Sequence, residues 1–358
     1  MKYLILILIL LLIPFFLFKE KNDQELLDKI GQMLILGFRG TEYSEDLDYL
    51  LRRIKPGGII FFDYDVSLKT YPRNIDNLEQ VKKLIKDLQQ NSEIPLFITI
   101  DLEGGKVNRL QKFFSFKGHE ELNNILEVQE TSQSIAQKLR EIGFNLNLAP
   151  VIDLNINPQN PIIGSLGRSF SKEPEQVFLL AQAFLKAHEG IITTLKHFPG
   201  HGSSLHDSHL GIVDVTDTYQ DQELIPYKKL IEQGYQGMIM TAHIFNKNID
   251  SDFPASLSSK HIKKLREMGF EGVIVSDDLH MGAIVSNYEF EKAVVLALKA
   301  GNDLLIISNN GQNYDSKAGE RAKQAIFEAV KNGIILEKDI EKSYQRIMSL
   351  KSTFDKGS

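Results

Sequence analysis

The stretch NLEQVKKLIKDLQQNSEIPLFITID (residues 77–101) contains, in order, the two kinds of element from which the rest of the chain is built. In its first part, residues 77–90, apolar side chains recur every three or four positions, which is typical of a helix that buries one side. These side chains are Leu78, Val81, Leu84, Ile85 and Leu88. The second part, PLFITID (95–101), is a short apolar run without strict polar alternation. It predicts a strand buried on both faces that ends in a carboxylate.

Seven further apolar runs of this kind occur along the chain, and longer polar or amphipathic stretches separate them. In chain order the eight runs are QMLILGF (32–38), GGIIFF (57–62), PLFITID (95–101), FNLNLAPVID (144–153), IITTLKH (191–197), GMIMTAH (237–243), GVIVSDD (272–278) and DLLIIS (303–308). Helical patterns at 221–235 and 258–270 each end near a glycine, and residues 337–350 predict a closing helix.

Eight strand–helix alternations predict an α/β fold, a parallel (β/α)8 TIM-type barrel in one domain. A doubly wound open sheet is the competing topology. Such a sheet would carry a glycine-rich phosphate turn after its first strand. The sequence there, LGFRGTE (36–42), lacks that pattern, so the barrel is favoured.

The composition of the 358-residue chain excludes several classes of function. Its formal net charge is −6 and it contains no cysteine. Because the chain has no surplus of basic residues, we do not expect nucleic acid as a partner. The lack of cysteine excludes disulfides, thiolate metal sites and a cysteine nucleophile.

The N-terminus differs from the rest of the chain. After Lys2 an apolar run of sixteen residues extends from Tyr3 to Phe18. It is longer than the usual core of a signal peptide, shorter than the roughly 20 residues of a comfortable membrane span, and has no small-x-small cleavage site. We therefore predict a signal peptide or membrane anchor over residues 1–22; the alternative is a buried helix of the fold. Residues 23–358 would form the barrel outside the cytoplasm: periplasmic, secreted or held at the inner membrane through residues 3–18.

Ionisable residues follow the predicted strands at the edge where a barrel carries its active site. They are Asp101, Asp153, Lys196, His197, His243, Asp277 and Asp278. An aspartate after a strand is most often a turn or a helix cap. It is the set of seven at one edge that indicates a polar pocket.

The stretch KHFPGHGSSLHDSH (196–209) holds four of the nine histidines of the chain. His197 and His201 have the spacing of a helical metal site, but proline and glycine between them break the helix. A polar loop and a proton-transfer site are the other two interpretations. In the latter, Asp207 would fix the tautomer of His209, and the loop's glycines would let it close over a ligand.

Six motifs together resemble glycoside hydrolase family 3, and most of all its single-domain bacterial β-N-acetylglucosaminidases. The motifs are IDLEGGKVNRL, NLNLAPVIDLN, LGRSFSKEP, LKHFPGHGSSLHDSH, MTAHI and GVIVSDDLHMGAI. They span roughly residues 25–350 in the family's order. The resemblance implies a barrel catalytic domain, in agreement with the strand count.

The resemblance also implies roles for particular residues. Asp277, the first aspartate of SDD, would be the nucleophile, and His209 of DSH the acid/base, assisted by Asp207. The family's substrate-binding residues fall at Asp101, Arg109, Arg168, Lys196 and His197. No cofactor and no metal are implied.

We therefore expect a retaining exo-β-N-acetylglucosaminidase, monomeric, that acts on peptidoglycan fragments or chitin-type oligosaccharides. One alternative is a substrate-assisted hexosaminidase that uses Asp277 and Asp278, although Asp278 is also suited to hold the loop after strand seven. Others are a β-glucosidase or phosphorylase of the same family. The non-enzymatic alternative is a membrane-anchored sugar-binding protein.

Overall fold

The computed structural model describes residues 21–353, and residues 21–32 are helical. The predicted leader therefore lies outside the described residues except for its last two positions. Within residues 21–353 no helix combines the length and the apolar character needed to cross a membrane.

The centre of the described chain is a sheet of eight parallel strands. They are β1 (Leu34–Gly37), β2 (Gly58–Ile60), β3 (Phe97–Ile100), β4 (Leu146–Asn147), β5 (Ile192–Phe198), β6 (Met238–Thr241), β7 (Val273–Ser276) and β8 (Leu305–Ile307). Their spatial order is β7-β6-β5-β4-β3-β2-β1-β8. A parallel bridge between Val275 and Leu304 joins the two ends. The sheet thus closes into the predicted (β/α)8 barrel.

Helices surround this barrel and connect its strands. They are α1 (Glu45–Ile54), α2 (Leu78–Gln90), α3 (Ile125–Ile142), α4 (Pro174–Ala187), α5 (Ile225–Glu232), α6 (Ser259–Glu267), α7 (Gly282–Val285), α8 (Phe290–Ala300), α9 (Ala318–Lys331) and α10 (Glu337–Lys351). Helix α2 begins where the Asn77 side chain accepts a hydrogen bond from the Gln80 backbone N–H at 3.0 Å, as N-cap residues do. Its buried residues are four of the five predicted apolar positions, and α10 is the predicted closing helix.

Two predicted elements differ in extent from those observed. Of the fourth apolar run, only Leu146–Asn147 pairs as a strand, followed by a single bridge from Val151 to Lys196. Pro150 lies between them and has no N–H to donate to a ladder. The predicted helix at 221–235 begins as a 3₁₀ turn, Asp221–Leu224, before α5. Pro226 then occupies the first turn of α5, where the missing N–H is not needed.

The carboxyl ends of the strands carry the loops that shape the site. After β3 the chain forms a short hairpin from Leu102–Gly104 and Val107–Asn108. The loops after β5 and β6 pair with each other through Val213–Asp214 and Ile244–Phe245. The hairpin and the paired loops extend the carboxyl end of the barrel beyond its strands.

Candidate active site

A cavity of about 330 Å³ opens at the carboxyl end of the barrel. Seven of the eight predicted site residues line it: Asp101, Arg109, Arg168, Lys196, His197, His209 and Asp277. The eighth, Asp207, contacts it through His209, whose Nδ1 lies 2.7 Å from an Asp207 carboxylate oxygen. Strand β5 and the loops after β3, β4, β5 and β7 therefore bring together residues that are up to 176 positions apart (101 to 277).

Two cations and two carboxylates form an ion cluster on one side of this cavity. Lys196 Nζ lies 2.9 Å from Asp101 and 2.7 Å from Glu103. Arg168 binds the same Glu103 through two nitrogens, at 2.7 and 2.8 Å. Burial acts to raise the pKa of Glu103, but Arg168 and Lys196 outweigh it and hold that pKa well below its usual range. The carboxylate therefore stays ionised and fixes both cations.

Glu103 was missed by the sequence analysis, although a signal was present. It follows Asp101 by two positions, and residues two apart in extended chain project to the same side. The partners of Glu103 lie 65 and 93 positions further along the chain, at Arg168 and Lys196. The spacing therefore indicates that Glu103 lies near Asp101, but no local sequence pattern predicts its pairing with Arg168 and Lys196.

His197 is held by Asp153, which follows β4. The His197 Nδ1 lies 2.7 Å from Asp153 Oδ2, while the backbone N–H groups of His197 and His201 donate to Oδ1. Burial acts to raise the pKa of Asp153, but His197 lowers it below the usual value. Arg168 donates towards His197 Nε2 at 3.3 Å. The His197 ring is therefore fixed between the Asp153 carboxylate at Nδ1 and the Arg168 guanidinium at Nε2.

Asp207 and His209 form a pair on the loop after β5. One Asp207 oxygen accepts from the backbone N–H of His209 at 2.8 Å and lies 2.7 Å from its Nδ1. The His209 side chain is 59% exposed and that of Asp207 27%. Because the carboxylate holds Nδ1, Nε2 is the ring nitrogen available to exchange a proton with a ligand.

Asp277 follows β7 directly. Its Oδ1 accepts the backbone N–H of Asp278 at 2.8 Å. Burial acts to raise the pKa of Asp277, but His243, His197 and this hydrogen bond together lower it. His243 is one of the ionisable residues predicted at the strand ends. Its Nε2 lies 2.8 Å from the backbone carbonyl oxygen of Asp278.

Asp278 also lines the cavity, but its side-chain oxygens accept hydrogen bonds from other parts of the chain. Its Oδ1 accepts the backbone N–H groups of His280 and Ser308, and its Oδ2 accepts the Ser308 hydroxyl at 2.5 Å. Asp278 thus ties the loop after β7 to the end of β8.

The glycines of the histidine-rich stretch lie where the backbone packs closely against other parts of the chain. A Cβ on Gly202 would lie 1.6 Å from the Leu154 carbonyl oxygen, and one on Gly200, whose φ is +128°, would lie 2.5 Å from Glu223 Cβ. His201 is buried, with Nδ1 2.7 Å from the Ser204 hydroxyl. The glycines permit close packing of residues 199–204; closure of the loop over a ligand stays a prediction.

In residues 21–353 no cluster of three or more His, Cys, Asp or Glu side chains is arranged to hold a metal ion. The site consists of carboxylates, imidazoles and the three cations Arg109, Arg168 and Lys196 around a cavity of about 330 Å³.

Comparison with known proteins identifies the family. Residues 25–350 match the glycosyl hydrolase family 3 N-terminal domain. The chain therefore belongs to glycosyl hydrolase family 3, which confirms the resemblance drawn from its motifs.

Three relatives are named for related activities. Beta-hexosaminidase A of Pseudoalteromonas piscicida is 31% identical in an alignment of length 377 that covers 92% of this chain and 61% of that protein. Beta-hexosaminidase of Tolumonas auensis is 36% identical over 291 residues, covering 77% of this chain and 83% of that protein. A family 3 β-N-acetylglucosaminidase structure from Paenibacillus sp. superposes with a TM-score of 0.84 at 34% identity, covering 93% of this chain and 63% of that one. The chain thus spans less than two thirds of the first and the last of these.

Proposed function

We propose that the protein is a retaining exo-β-N-acetylglucosaminidase. The observation that carries the proposal is the meeting in one cavity of a partly exposed carboxylate, Asp277, with the Asp207–His209 pair. The relatives named as hexosaminidases support the choice of sugar. We place the natural substrates among peptidoglycan fragments first and chitin-type oligosaccharides second.

In the first step Asp277 attacks the anomeric carbon. Its lowered pKa keeps the carboxylate ionised and therefore nucleophilic at neutral pH. As the new carbon–oxygen bond forms, the glycosidic bond breaks, and its electron pair goes to the leaving oxygen. Protonated His209 gives its Nε2 proton to that oxygen, and Asp207 stabilises the imidazolium beforehand. The product of this step is a glycosyl ester on Asp277.

In the second step the roles of His209 reverse. Now neutral, it takes a proton from a water molecule as the water oxygen attacks the anomeric carbon. The ester bond breaks, Asp277 leaves as a carboxylate, and the sugar departs with its β configuration retained. Most retaining glycosidases use a second carboxylic acid for this proton transfer; here an imidazole paired with a carboxylate does so.

The charged side of the cavity would bind the terminal sugar. Asp101 accepts hydrogen bonds from sugar hydroxyls there, and Lys196 and Arg168 are fixed by Glu103. Arg109 is less committed: its closest carboxylates are 3.8 and 3.9 Å away, and its buried Nε has no hydrogen-bond partner among residues 21–353. Arg109 is therefore the cation best placed to meet a hydroxyl or acetamido oxygen.

The substrate-assisted alternative receives less support. It needs Asp278 to orient or protonate the substrate, whereas both oxygens of Asp278 already accept hydrogen bonds. A β-glucosidase, a phosphorylase and a non-enzymatic sugar-binding protein are separated from the main proposal by the assay below.

The assay compares hydrolysis of an aryl N-acetyl-β-glucosaminide with that of the matching aryl β-glucoside. We expect release from the first only, with loss of release in Asp277→Ala. Release from the glucoside alone would contradict the proposed sugar. Acceleration by inorganic phosphate with formation of a sugar phosphate would show a phosphorylase, and binding of N-acetylglucosamine without turnover would show a binding protein.

We further propose that residues 1–22 export the chain and that it works as a monomer outside the cytoplasm. The apolar run from Tyr3 to Phe18 supports export. Fractionation of expressing cells tests it: the intact chain should sediment with membranes, and a cytoplasmic location would contradict the proposal. Light scattering of the solubilised protein tests the monomer.

A further inference from the structure

Between β2 and α2 the chain forms a projection, residues 62–74, which we call the β2 finger. Three backbone pairings give it the shape of an irregular hairpin. They join Phe62 with Asn74, Asp63 with Arg73, and Asp65 with Thr70. The finger rises from the carboxyl end of β2, beside the cavity that holds Asp277.

A buried ion cluster fixes the middle of the finger. The Asp65 carboxylate accepts from Arg39 Nε at 2.7 Å, from Arg73 Nη1 at 2.8 Å and from the Leu68 backbone N–H at 3.0 Å. Arg73 also donates to the Asn309 carbonyl at 2.7 Å. Removing one partner from such a buried cluster leaves an unpaired charge, which is costly. The finger is therefore held in one position.

Asn310, after β8, holds the finger a second time. Its Oδ1 accepts the Val66 backbone N–H and its Nδ2 donates to the Tyr64 carbonyl, both at 3.0 Å. The Asn310 side-chain amide thus hydrogen-bonds to the backbone on both sides of Asp65. Tyr64 and Val66 are fixed before any ligand arrives, which reduces the entropy lost on binding.

The side chains presented by this rigid support are apolar or aromatic. Phe62, Tyr64 and Val66 line the same cavity as the proposed nucleophile and acid/base. Val66 is 41% exposed, Leu68 59% and Tyr71 61%. The Tyr64 and Tyr71 rings lie 4.8 Å apart at 52°. One wall of the cavity mouth is therefore a fixed apolar surface. The interior of the cavity, by contrast, is lined by charged side chains that form ion pairs.

The size of the cavity indicates which part of an oligosaccharide would contact this apolar wall. Its volume of about 330 Å³ is at the lower end of the roughly 300–1,000 Å³ of small-molecule sites. It accommodates one sugar ring, so the next ring of an oligosaccharide must lie at the mouth. The carbon-bound hydrogens of a pyranose face pack on aromatic rings, while its rim hydroxyls stay hydrated.

We propose that the β2 finger is the binding site for the second sugar ring, the leaving group, with Tyr64 as its principal contact and Val66 beside it. This inference rests on the proposed function, since it names the part of the substrate beyond the bond that is cleaved. It makes Tyr64 a determinant of leaving-group specificity without a role in the chemical step.

The test compares two substrates that share the terminal sugar. N,N′-diacetylchitobiose has a second ring to contact Tyr64, whereas N-acetyl-β-glucosaminyl fluoride has a leaving group of one atom. In Tyr64→Ala we expect kcat/KM for the disaccharide to fall about tenfold or more, which is the scale of one lost aromatic contact. The value for the fluoride should stay within about twofold, because the fluoride has no second ring that could lose a contact with Tyr64. Tyr64→Phe should retain both.

Tyr49→Ala is the matched control, because Tyr49 is an exposed tyrosine outside the cavity; it should change neither value. If Tyr64→Ala does not fold, Val66→Asp, which alters an exposed side chain that lines the cavity, replaces it and should lower the disaccharide value alone. An equal loss on both substrates would place Tyr64 against the terminal sugar and overturn the inference, as would no loss on either. Wild-type protein inactive on both substrates would instead refute the proposed function, and the inference with it.

Discussion

Glu223 provides a quantitative prediction about the support of the histidine-rich loop. It is 1% exposed and lies behind residues 199–204. One of its oxygens accepts the Gly202 backbone N–H at 2.9 Å, and the other has no hydrogen-bond partner among residues 21–353. Burial raises the pKa of Glu223 from 4.5 to about 8, partly offset by Ser203 and reinforced by the charge of Asp153. The folded protein therefore keeps this carboxyl protonated at neutral pH.

The sign of the effect on stability follows from proton linkage. Because the folded pKa lies above the unfolded one, folding is fully favoured by this group below pH 4.5, and that contribution is lost as the pH rises to about 8. Each pKa unit corresponds to about 1.36 kcal/mol, so a displacement of about 3.5 units (8 − 4.5) amounts to roughly 5 kcal/mol. Glu223→Gln retains an acceptor for Gly202 and cannot ionise. Relative to wild type, its free energy of unfolding should therefore rise progressively from pH 4.5 to pH 8.

The assay is urea unfolding of both proteins at one-unit steps from pH 5 to pH 9. Glu232→Gln is the control, since Glu232 is an exposed carboxylate on neighbouring α5; its profile should parallel that of wild type. If the Glu223→Gln and wild-type profiles are also parallel, Glu223 ionises normally and the assignment of a buried neutral carboxyl is wrong.

Three further predictions concern the proton-transfer pair and its surroundings. Asp207→Asn should lower kcat about 10²–10⁴-fold for a glycoside with a basic leaving group, because His209 loses the carboxylate that supports its cation. Near-normal turnover across a series of leaving groups would remove Asp207 from catalysis. Gly202→Ala places a Cβ against the Leu154 carbonyl and should destabilise the fold by about 1–3 kcal/mol; an unchanged thermal midpoint would contradict the packing described. Glu103→Ala leaves two buried cations without their shared carboxylate and should cost about 3–5 kcal/mol, measured by chemical unfolding, whereas a value under 1 kcal/mol would show that the cations relocate.

The barrel was predictable because its strands are buried on both faces. Each of the eight apolar runs coincides with a barrel strand, although β5 extends one residue beyond its run, and the order of alternation leaves few topologies. The extent of β4 was not predictable to the same degree, because an apolar run does not reveal where hydrogen bonding stops. Pro150 was the available signal for that boundary.

The site was predictable where it depends on strand ends and motifs, and not where it depends on buried pairing. Asp101 and Asp277 follow strands and Lys196 lies near the end of β5, so one edge of the barrel gathers them. Glu103 and Glu223 are carboxylates whose function depends on what surrounds them. Their partners come from other loops, and sequence position does not show burial.

The β2 finger was missed for a related reason. It contains no regular helix or barrel strand, so no periodicity marks it. Its anchors, Arg39 and Asn310, come from opposite ends of the chain and meet only because β1 and β8 are neighbours in the closed barrel. Such a feature follows from the fold and not from a local pattern.

The most direct test of the account is to trap the glycosyl ester on Asp277. A 5-fluoro-β-N-acetylglucosaminyl fluoride slows both steps, while its good leaving group still lets the first step proceed. Peptide mass spectrometry of the inactivated protein should show one added sugar on the peptide that contains Asp277, and Asp277→Asn should show none. Retained turnover of the aryl glycoside with no adduct, or an adduct on a different carboxylate, would contradict a covalent mechanism through Asp277.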